Sequence, residues 1–125
     1  MLTSELTRQI LLVLVGLVFL LLALRTWLQP ERVAGEVGYR LLGPNGYSEL
    51  HAIYCGLWLA HAGLAGYAAW RVEQAVLGDV LALLILAQPL GRLLAMPRHG
   101  PPRGALAGFL WLELIGATLL LLVRP

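Results

Sequence analysis

Five polar side chains interrupt the apolar stretches of this 125-residue sequence in a pattern that suits acid–base or ligand-binding chemistry. Glu49 and His51 open one apolar stretch, Gln88 and Arg92 lie one helical turn apart in the next, and Glu113 lies in the last. At 1.5 Å per residue, Glu113 is about 12 Å deep, and all five occupy the same half of a membrane. The long side chain of Arg92 could contact Glu49 nearer the membrane surface and Glu113 deeper in the membrane. We therefore predict a Glu49–Arg92–Glu113 cluster.

The predicted cluster has two interpretations. A charge inside a bilayer costs between about 3 and 10 kcal/mol unless it is paired, so the cluster could serve only to fix helix register. Alternatively, Glu49 or Glu113 could act as a general acid or base, with Arg92 stabilising charge, which makes these three the candidate catalytic residues. Burial favours a neutral glutamate, whereas Arg92 would hold its partner ionised.

The second apolar stretch has two distinct faces at 100° per residue. One face carries small residues, a pattern for close helix contact, at Ala52, Gly56, Ala60 and Gly63. The other carries aromatic and hydrogen-bonding side chains that could line a cavity. With the polar residues of the later stretches, these give the candidate ligand-binding set: His51, Tyr54, Trp58, His61, Gln88, Arg92 and Glu113.

The histidines give little support for a metal or a cofactor. His51 and His61 lie about 15 Å apart along a helix and cannot share one metal. Only His51, His99 and Glu49 could meet near one interface, as a conceivable zinc or iron site. With one cysteine, Cys55, and no phosphate loop or nucleophile elbow, we predict no cofactor and no bound metal.

The elements that position these residues are predicted to be membrane spans. Hydrophobic residues make up 59% of the chain and charged residues 13%, so lipid must be the solvent. Apolar runs long enough to cross a bilayer cover about 9–28, 48–70, 76–96 and 105–123. We therefore predict an all-α integral membrane four-helix bundle, one domain over residues 1–125.

A short helix is predicted to lie in the interface between the first two spans. Val33, Val37 and Leu41 recur every four residues between Pro30 and Gly46. Glu36 and Arg40 would form an i,i+4 pair on another face of this helix.

Arginine placement predicts the orientation, because all nine basic residues are arginine. The first and third loops carry Arg32, Arg40, Arg98 and Arg103, whereas the opposite end carries Arg8, Arg71 and Arg124. The positive-inside rule then places these loops in the cytoplasm and both termini outside, in a bacterial inner membrane. Scattered arginines argue against nucleic acid as a partner. Asp79 is expected near Arg71 or at the outer interface.

Four short motifs carry a resemblance to a known family: Glu49-Leu50-His51-Ala52-Ile53-Tyr54-Cys55-Gly56-Leu57, Leu90-Gly91-Arg92-Leu93, His99-Gly100-Pro101-Pro102 and Leu112-Glu113-Leu114. In this order they resemble the pattern E-x-R-A-x-Y-G-G, G-R, D-G-x-P and E-L. That pattern is typical of small bacterial four-span membrane proteins catalogued only as a domain of unknown function. The resemblance covers nearly the whole chain and implies a compact bundle, but no activity. Its matching positions are Glu49, Tyr54, Gly56, Arg92, Gly100 and Glu113.

Two positions depart from the family pattern. His51 stands where the pattern has arginine, and His99 where it has aspartate. If those positions form an ion pair elsewhere in the family, two imidazoles replace it here, and the interface would be pH-sensitive between about 5 and 8.

Three functions remain open from the sequence. The first is binding of a lipid or another hydrophobic small molecule, or service as a subunit of a homodimer or a larger membrane complex. The second is a membrane-embedded acid–base enzyme, such as an isomerase, a cyclase or an epoxide-opening enzyme, acting on an apolar substrate. The third is a small dimeric proton-coupled exporter. Such exporters carry a glutamate in the first span, where this sequence has no ionisable residue between Arg8 and Arg25.

Overall fold

The computed structural model describes residues 2–125, with side chains from residue 4 onward, and this part of the chain is all-α. Six α-helices follow one another: α1 Leu2–Leu28, α2 Pro30–Glu36, α3 Gly43–His51, α4 Trp58–Trp70, α5 Ala75–His99 and α6 Ala105–Leu122. A π-helical segment, Ala52–Leu57, joins α3 to α4 without a break in helical dihedral angles.

Three of these helices are long and apolar enough to cross a membrane: Ser4–Leu28 within α1, Ala75–His99 and Ala105–Leu122. Their mean hydropathies are 2.5, 1.7 and 2.1. The remaining apolar run of the sequence, about 48–70, lies on α3, the π-helical segment and α4.

The short helix between the first two long runs is about half as long as predicted. It ends at Glu36, because Gly38 adopts a positive φ of 83° that breaks the helical path. Arg40 therefore lies beyond the helix, and Glu36 pairs with Arg25 instead of with Arg40 as predicted. Both Nη atoms of Arg25 donate to the two carboxylate oxygens of Glu36, at 2.5 and 2.6 Å. Val33 and Val37 of the predicted four-residue spacing are buried, whereas Leu41 is half-buried and lies beyond the helix.

Helices α1 and α4 make the most extensive contact between any two helices of the described residues, and it includes a close approach at a glycine. A Cβ added at Gly16 would lie 3.3 Å from Cβ of Ala65 and 3.5 Å from the carbonyl oxygen of Ala62. The small residues that the sequence assigned to this role, Ala52, Gly56, Ala60 and Gly63, are instead exposed. The close contact uses another face because the same helical run turns large side chains inward, at Leu50, Tyr54, Trp58 and His61.

An ion-pair network joins α1, α5 and the segment after α6 at the end opposite to α2. Arg8 is 1% exposed, and its Nη2 donates to Asp79 at 2.6 Å while Nη1 donates to the carbonyl of Ala75 at 2.9 Å. Arg124 Nε donates to the other Asp79 oxygen at 2.7 Å. Arg71, the partner expected for Asp79, instead donates from Nε to Glu73 at 2.9 Å.

Candidate ligand-binding site

A cavity of about 180 Å³ lies between α1, α4, α5 and α6. Its wall is almost entirely apolar, with polar groups contributed by three residues, Trp58, Gln88 and Glu113. The volume slightly exceeds the ~150 Å³ of an apolar protein cavity that stays dry and binds benzene. The cavity is therefore large enough to hold a ring or a short branched chain.

The aromatic part of the wall is organised around Trp58, which begins α4 directly after the π-helical segment. Its ring lies edge-on to Tyr54 at 5.1 Å between ring centroids, and 6.2 and 6.3 Å from Phe19 and Phe109. Such tilted contacts fix the orientation of an indole ring. Trp58 is 4% exposed, and its Nε1 has no hydrogen-bond partner among the described residues.

An ion pair between neighbouring helices borders the cavity. Arg92 of α5 donates through Nη1 to Oε1 of Glu113 on α6. The side chains are 17% and 11% exposed, so both charges are largely removed from water. Glu113 Oε2 is buried and has no partner within the described part of the chain. One carboxylate oxygen of the pair is therefore enclosed without a partner, on a residue that also lines the apolar cavity.

The structure brings only part of the predicted Glu49–Arg92–Glu113 cluster together. Arg92 and Glu113 pair, but Glu49 is exposed, and no ion pair of the described residues links it to Arg92. Its neighbour Leu50 is the inward-facing residue at that level, 2% exposed. Because successive residues differ by about 100° around a helix, Glu49 points elsewhere. The predicted contact between Arg92 and Glu113 is present, whereas the predicted contact between Arg92 and Glu49 is absent from the described residues.

The three histidines lie outside the cavity wall. His61 is buried, donates from Nδ1 to the carbonyl of Leu57 at 2.7 Å, and packs 4.9 Å from the ring of Phe19. His51 donates in the same way to the carbonyl of Tyr47 at 2.7 Å, and His99 is exposed. Among residues 2–125 no group of three His, Cys, Asp or Glu side chains could hold a metal ion.

Sequence reasoning missed the contribution of α1 to the cavity. Leu11, Val15 and Phe19 line it, at the spacing of one helix face. Nothing distinguishes these residues within a uniformly apolar run, so only the packing of α1 against its neighbours reveals them.

The fold and the site together define a small helical protein with membrane-compatible helices and an ion pair beside an apolar cavity. The chain belongs to the family described as a domain of unknown function, DUF4345, whose model matches residues 7–124. The predicted membership of a family of unknown function is thereby confirmed. No curated protein and no solved structure matches the chain.

Proposed function

We propose that this protein binds a lipid or another hydrophobic small molecule inside the bilayer, in the cavity between α1, α4, α5 and α6. The observation that carries the proposal is an apolar cavity of about 180 Å³ between four helices, with a residue of the Arg92–Glu113 ion pair in its wall. The side chains that line an unfilled cavity lack packing partners on that side. A bound apolar molecule would supply those contacts.

The direction of the cavity opening supports a ligand that comes from the membrane. Leu14, Val18 and Leu112 line the cavity and are also 53%, 40% and 53% exposed. They lie on α1 and α6, so the cavity opens sideways between these two helices. In a bilayer this opening faces hydrocarbon, where apolar side chains are the expected surface.

The proposal includes a four-span topology in a bacterial inner membrane with both termini outside. Three helices already have the length and apolarity of a span. The fourth span would be the continuous helical run of α3, the π-helical segment and α4, which packs between α1 and α5. Arginine bias supports the orientation.

A cavity-filling substitution tests the proposed binding. Gly116 lines the cavity, and a Cβ there meets nothing within 4 Å, so Gly116→Leu should place its side chain in the cavity and reduce the free volume. Gly108→Leu is the matched control, because Gly108 is also on α6, exposed, and free of neighbours within 4 Å. Both changes remove a glycine from a helix and should raise helix stability similarly.

Native mass spectrometry of the purified proteins gives the readout. We expect a co-purifying lipophilic molecule on wild type and on Gly108→Leu, and its loss from Gly116→Leu. If all three proteins carry the same adducts, or none carries any, the cavity is not a binding site. An additional protein chain on all three would instead favour the role of a subunit in a membrane complex.

An acid–base enzyme is the second candidate, favoured by the presence of Glu113 in the cavity wall. The ion pair with Arg92 suits stabilisation of positive charge that develops in a bound substrate. If the wild-type protein converts a co-purified molecule and the Glu113→Gln variant does not, this activity is established. Equal conversion by both proteins would exclude Glu113 as the acting group.

A further inference from the structure

The cavity is elongated, and its shape restricts the ligand, an inference that rests on the proposed binding function. Three aromatic residues mark one end, because the ring of Trp58 lies 6.2 and 6.3 Å from those of Phe19 and Phe109 between centroids. All three line the cavity, and Leu22 lines it one helical turn from Phe19. These four residues form the aromatic end of the cavity.

From the aromatic end the wall continues along two helices. On α1 it runs from Phe19 back to Leu11, a rise of about 12 Å at 1.5 Å per residue. On α6 it runs from Phe109 forward to Gly116, a rise of about 10 Å. Counted from Leu22, the part of α1 that lines the cavity is about 16 Å long.

The two runs lead in the same direction, because α1 and α6 are antiparallel. Arg8, near the start of α1, and Arg124, just beyond the end of α6, both donate to Asp79. The beginning of α1 therefore lies beside the end of α6. Leu11 and Gly116 are consequently displaced from the aromatic end toward the same end of the bundle.

A compact ring would fill only part of such a space. A single chamber of ~150 Å³ accepts benzene, whereas the volume of about 180 Å³ here is distributed along about three turns of α1. A ring at the aromatic end would leave the side chains around Leu11 without packing partners. A linear chain would contact the wall along its whole length, and its methylene groups suit a wall that is almost entirely apolar.

We propose that the occupant is one linear hydrocarbon chain of a membrane lipid, lying along α1 and α6 with one end at Trp58. The other end of the chain lies between Leu11 and Gly116. The chain enters sideways from the bilayer, past the exposed side chains of Leu14 and Val18.

Heavy-atom quenching tests this proposal, because bromine quenches tryptophan fluorescence only at contact. Trp58 is made the sole tryptophan by three exposed substitutions, Trp27→Phe, Trp70→Phe and Trp111→Phe. The probes are 1-bromodecane and 1-bromoadamantane, linear and compact molecules with equal numbers of carbons, in digitonin micelles, whose detergent has no linear alkyl chain. We expect 1-bromodecane to quench at a mole fraction at least about fivefold lower, since overpacking of a site costs a factor of this size or more.

A second variant, which keeps Trp111 as its sole tryptophan, controls for partitioning of the probes into the micelles. Trp111 is 63% exposed and does not line the cavity, so both probes should quench it equally. A preference for 1-bromodecane that appears only at Trp58 then belongs to the cavity.

Gly116→Leu in the protein with Trp58 alone tests the direction of the chain. The new side chain lies between the aromatic end and Leu11, so quenching by 1-bromodecane should need at least about a fivefold higher mole fraction. The shorter 1-bromobutane needs only the aromatic end and should quench as before. Gly108→Leu is the control, because Gly108 is exposed on the same helix and does not line the cavity.

A phosphatidylcholine with bromine at the end of each acyl chain identifies the source of the chain. Quenching of Trp58 by this phospholipid would assign the cavity to a phospholipid chain. Quenching by 1-bromodecane alone would assign it to a single-chain lipid, and either result supports a linear occupant.

The remaining outcomes separate this inference from the proposed function. Equal or stronger quenching of Trp58 by 1-bromoadamantane would leave a site for hydrophobic molecules but overturn the linear chain. The linear chain is also overturned if Gly116→Leu affects 1-bromobutane as much as 1-bromodecane, or affects neither. If no probe quenches Trp58, both this inference and the proposed function fail.

Discussion

At the scale of single residues, the guanidinium of Arg8 is buried between helices and held by hydrogen bonds. It is buried against α5, where Gly78 leaves the space that it occupies: a Cβ added at Gly78 would lie 2.7 Å from Arg8 Cζ. The absence of a side chain at this position lets Arg8 reach both Asp79 and the carbonyl of Ala75. A glycine in a helix interior, which costs helix stability, is thus offset by two buried hydrogen bonds.

We expect Gly78→Ala to destabilise the protein, because the new methyl group displaces the guanidinium and breaks at least one of its hydrogen bonds. The loss should be about 1–3 kcal/mol, read as a lower midpoint of thermal unfolding in detergent. Gly91→Ala is the control: Gly91 is on the same helix, exposed, with nothing within 4 Å of its added Cβ. That variant should unfold at the same or a higher temperature. Equal midpoints for both variants would contradict the role given to Gly78.

Contacts between site residues could be predicted from the sequence where the position of each residue along its helix is enough to determine the contact. Arg92 and Glu113 pair because they lie at neighbouring depths on consecutive helices, which residue counting reveals. Glu49 lies at a suitable depth but faces outward, and the partners of Asp79 come from Arg8 and Arg124 rather than Arg71. Rotation of each helix about its axis depends on tertiary packing, which a single sequence does not contain.

At the scale of elements, the π-helical segment is the feature that periodicity reasoning could not supply. A rotation of 100° per residue assumes a regular α-helix, whereas Ala52–Leu57 has wider turns. Leu50, Tyr54 and Trp58 are four residues apart and all buried, so this segment keeps them on one inward face. The sequence pattern placed the small residues and the aromatic residues on two different faces of this helical run. In the structure the aromatic face is buried and the face of small residues is exposed.

The Arg25–Glu36 ion pair holds helix α2 to α1, and we expect acid to break it. The two hydrogen bonds from Arg25 hold the pKa of Glu36 below its ordinary value, with partial burial opposing them. A carboxylate with a lowered pKa stabilises the fold at pH values above its unfolded pKa of about 4.3, and this contribution is lost as the pH falls through the lower folded pKa. We therefore expect hydrogen-exchange protection of α2 to decline below about pH 4.

Glu36→Gln provides the comparison for this acid release. It should show reduced protection of α2 already at pH 7 and no further loss specific to α2 in acid. Glu73→Gln is the control, since Glu73 bonds Arg71 in the connection at the other end of the molecule. If wild type and Glu36→Gln have the same protection of α2 from pH 7 to pH 3, the Arg25–Glu36 bond does not hold this helix.

At the scale of the whole molecule, the distribution of paired arginines bears on the proposed orientation. At the end with the termini, Arg8, Arg71 and Arg124 each pair with a carboxylate. At the opposite end Arg32, Arg40, Arg98 and Arg103 are exposed, and no ion pair among the described residues neutralises them. The end that we propose to be cytoplasmic therefore carries four exposed arginines against three at the other end, and this count of basic residues has the sign that the positive-inside rule requires.

Labelling of introduced cysteines tests this orientation. In a Cys55→Ala background, Glu73→Cys places a thiol in the α4–α5 connection and Arg103→Cys places one before α6. With a membrane-impermeant maleimide on intact spheroplasts, we expect label on the first variant and none on the second until the membrane is permeabilised. The reverse pattern would invert the topology, and labelling of both would contradict the four-span arrangement.

The sideways opening between α1 and α6 has a consequence for how occupancy is controlled. If the proposed binding function holds, a molecule that enters past Leu14, Val18 and Leu112 would come from the lipid and not from water. Its occupancy would then depend on its mole fraction among the surrounding lipids. Changes in membrane composition would therefore be registered directly by the protein, and the bulk aqueous concentration of the compound would have no separate influence.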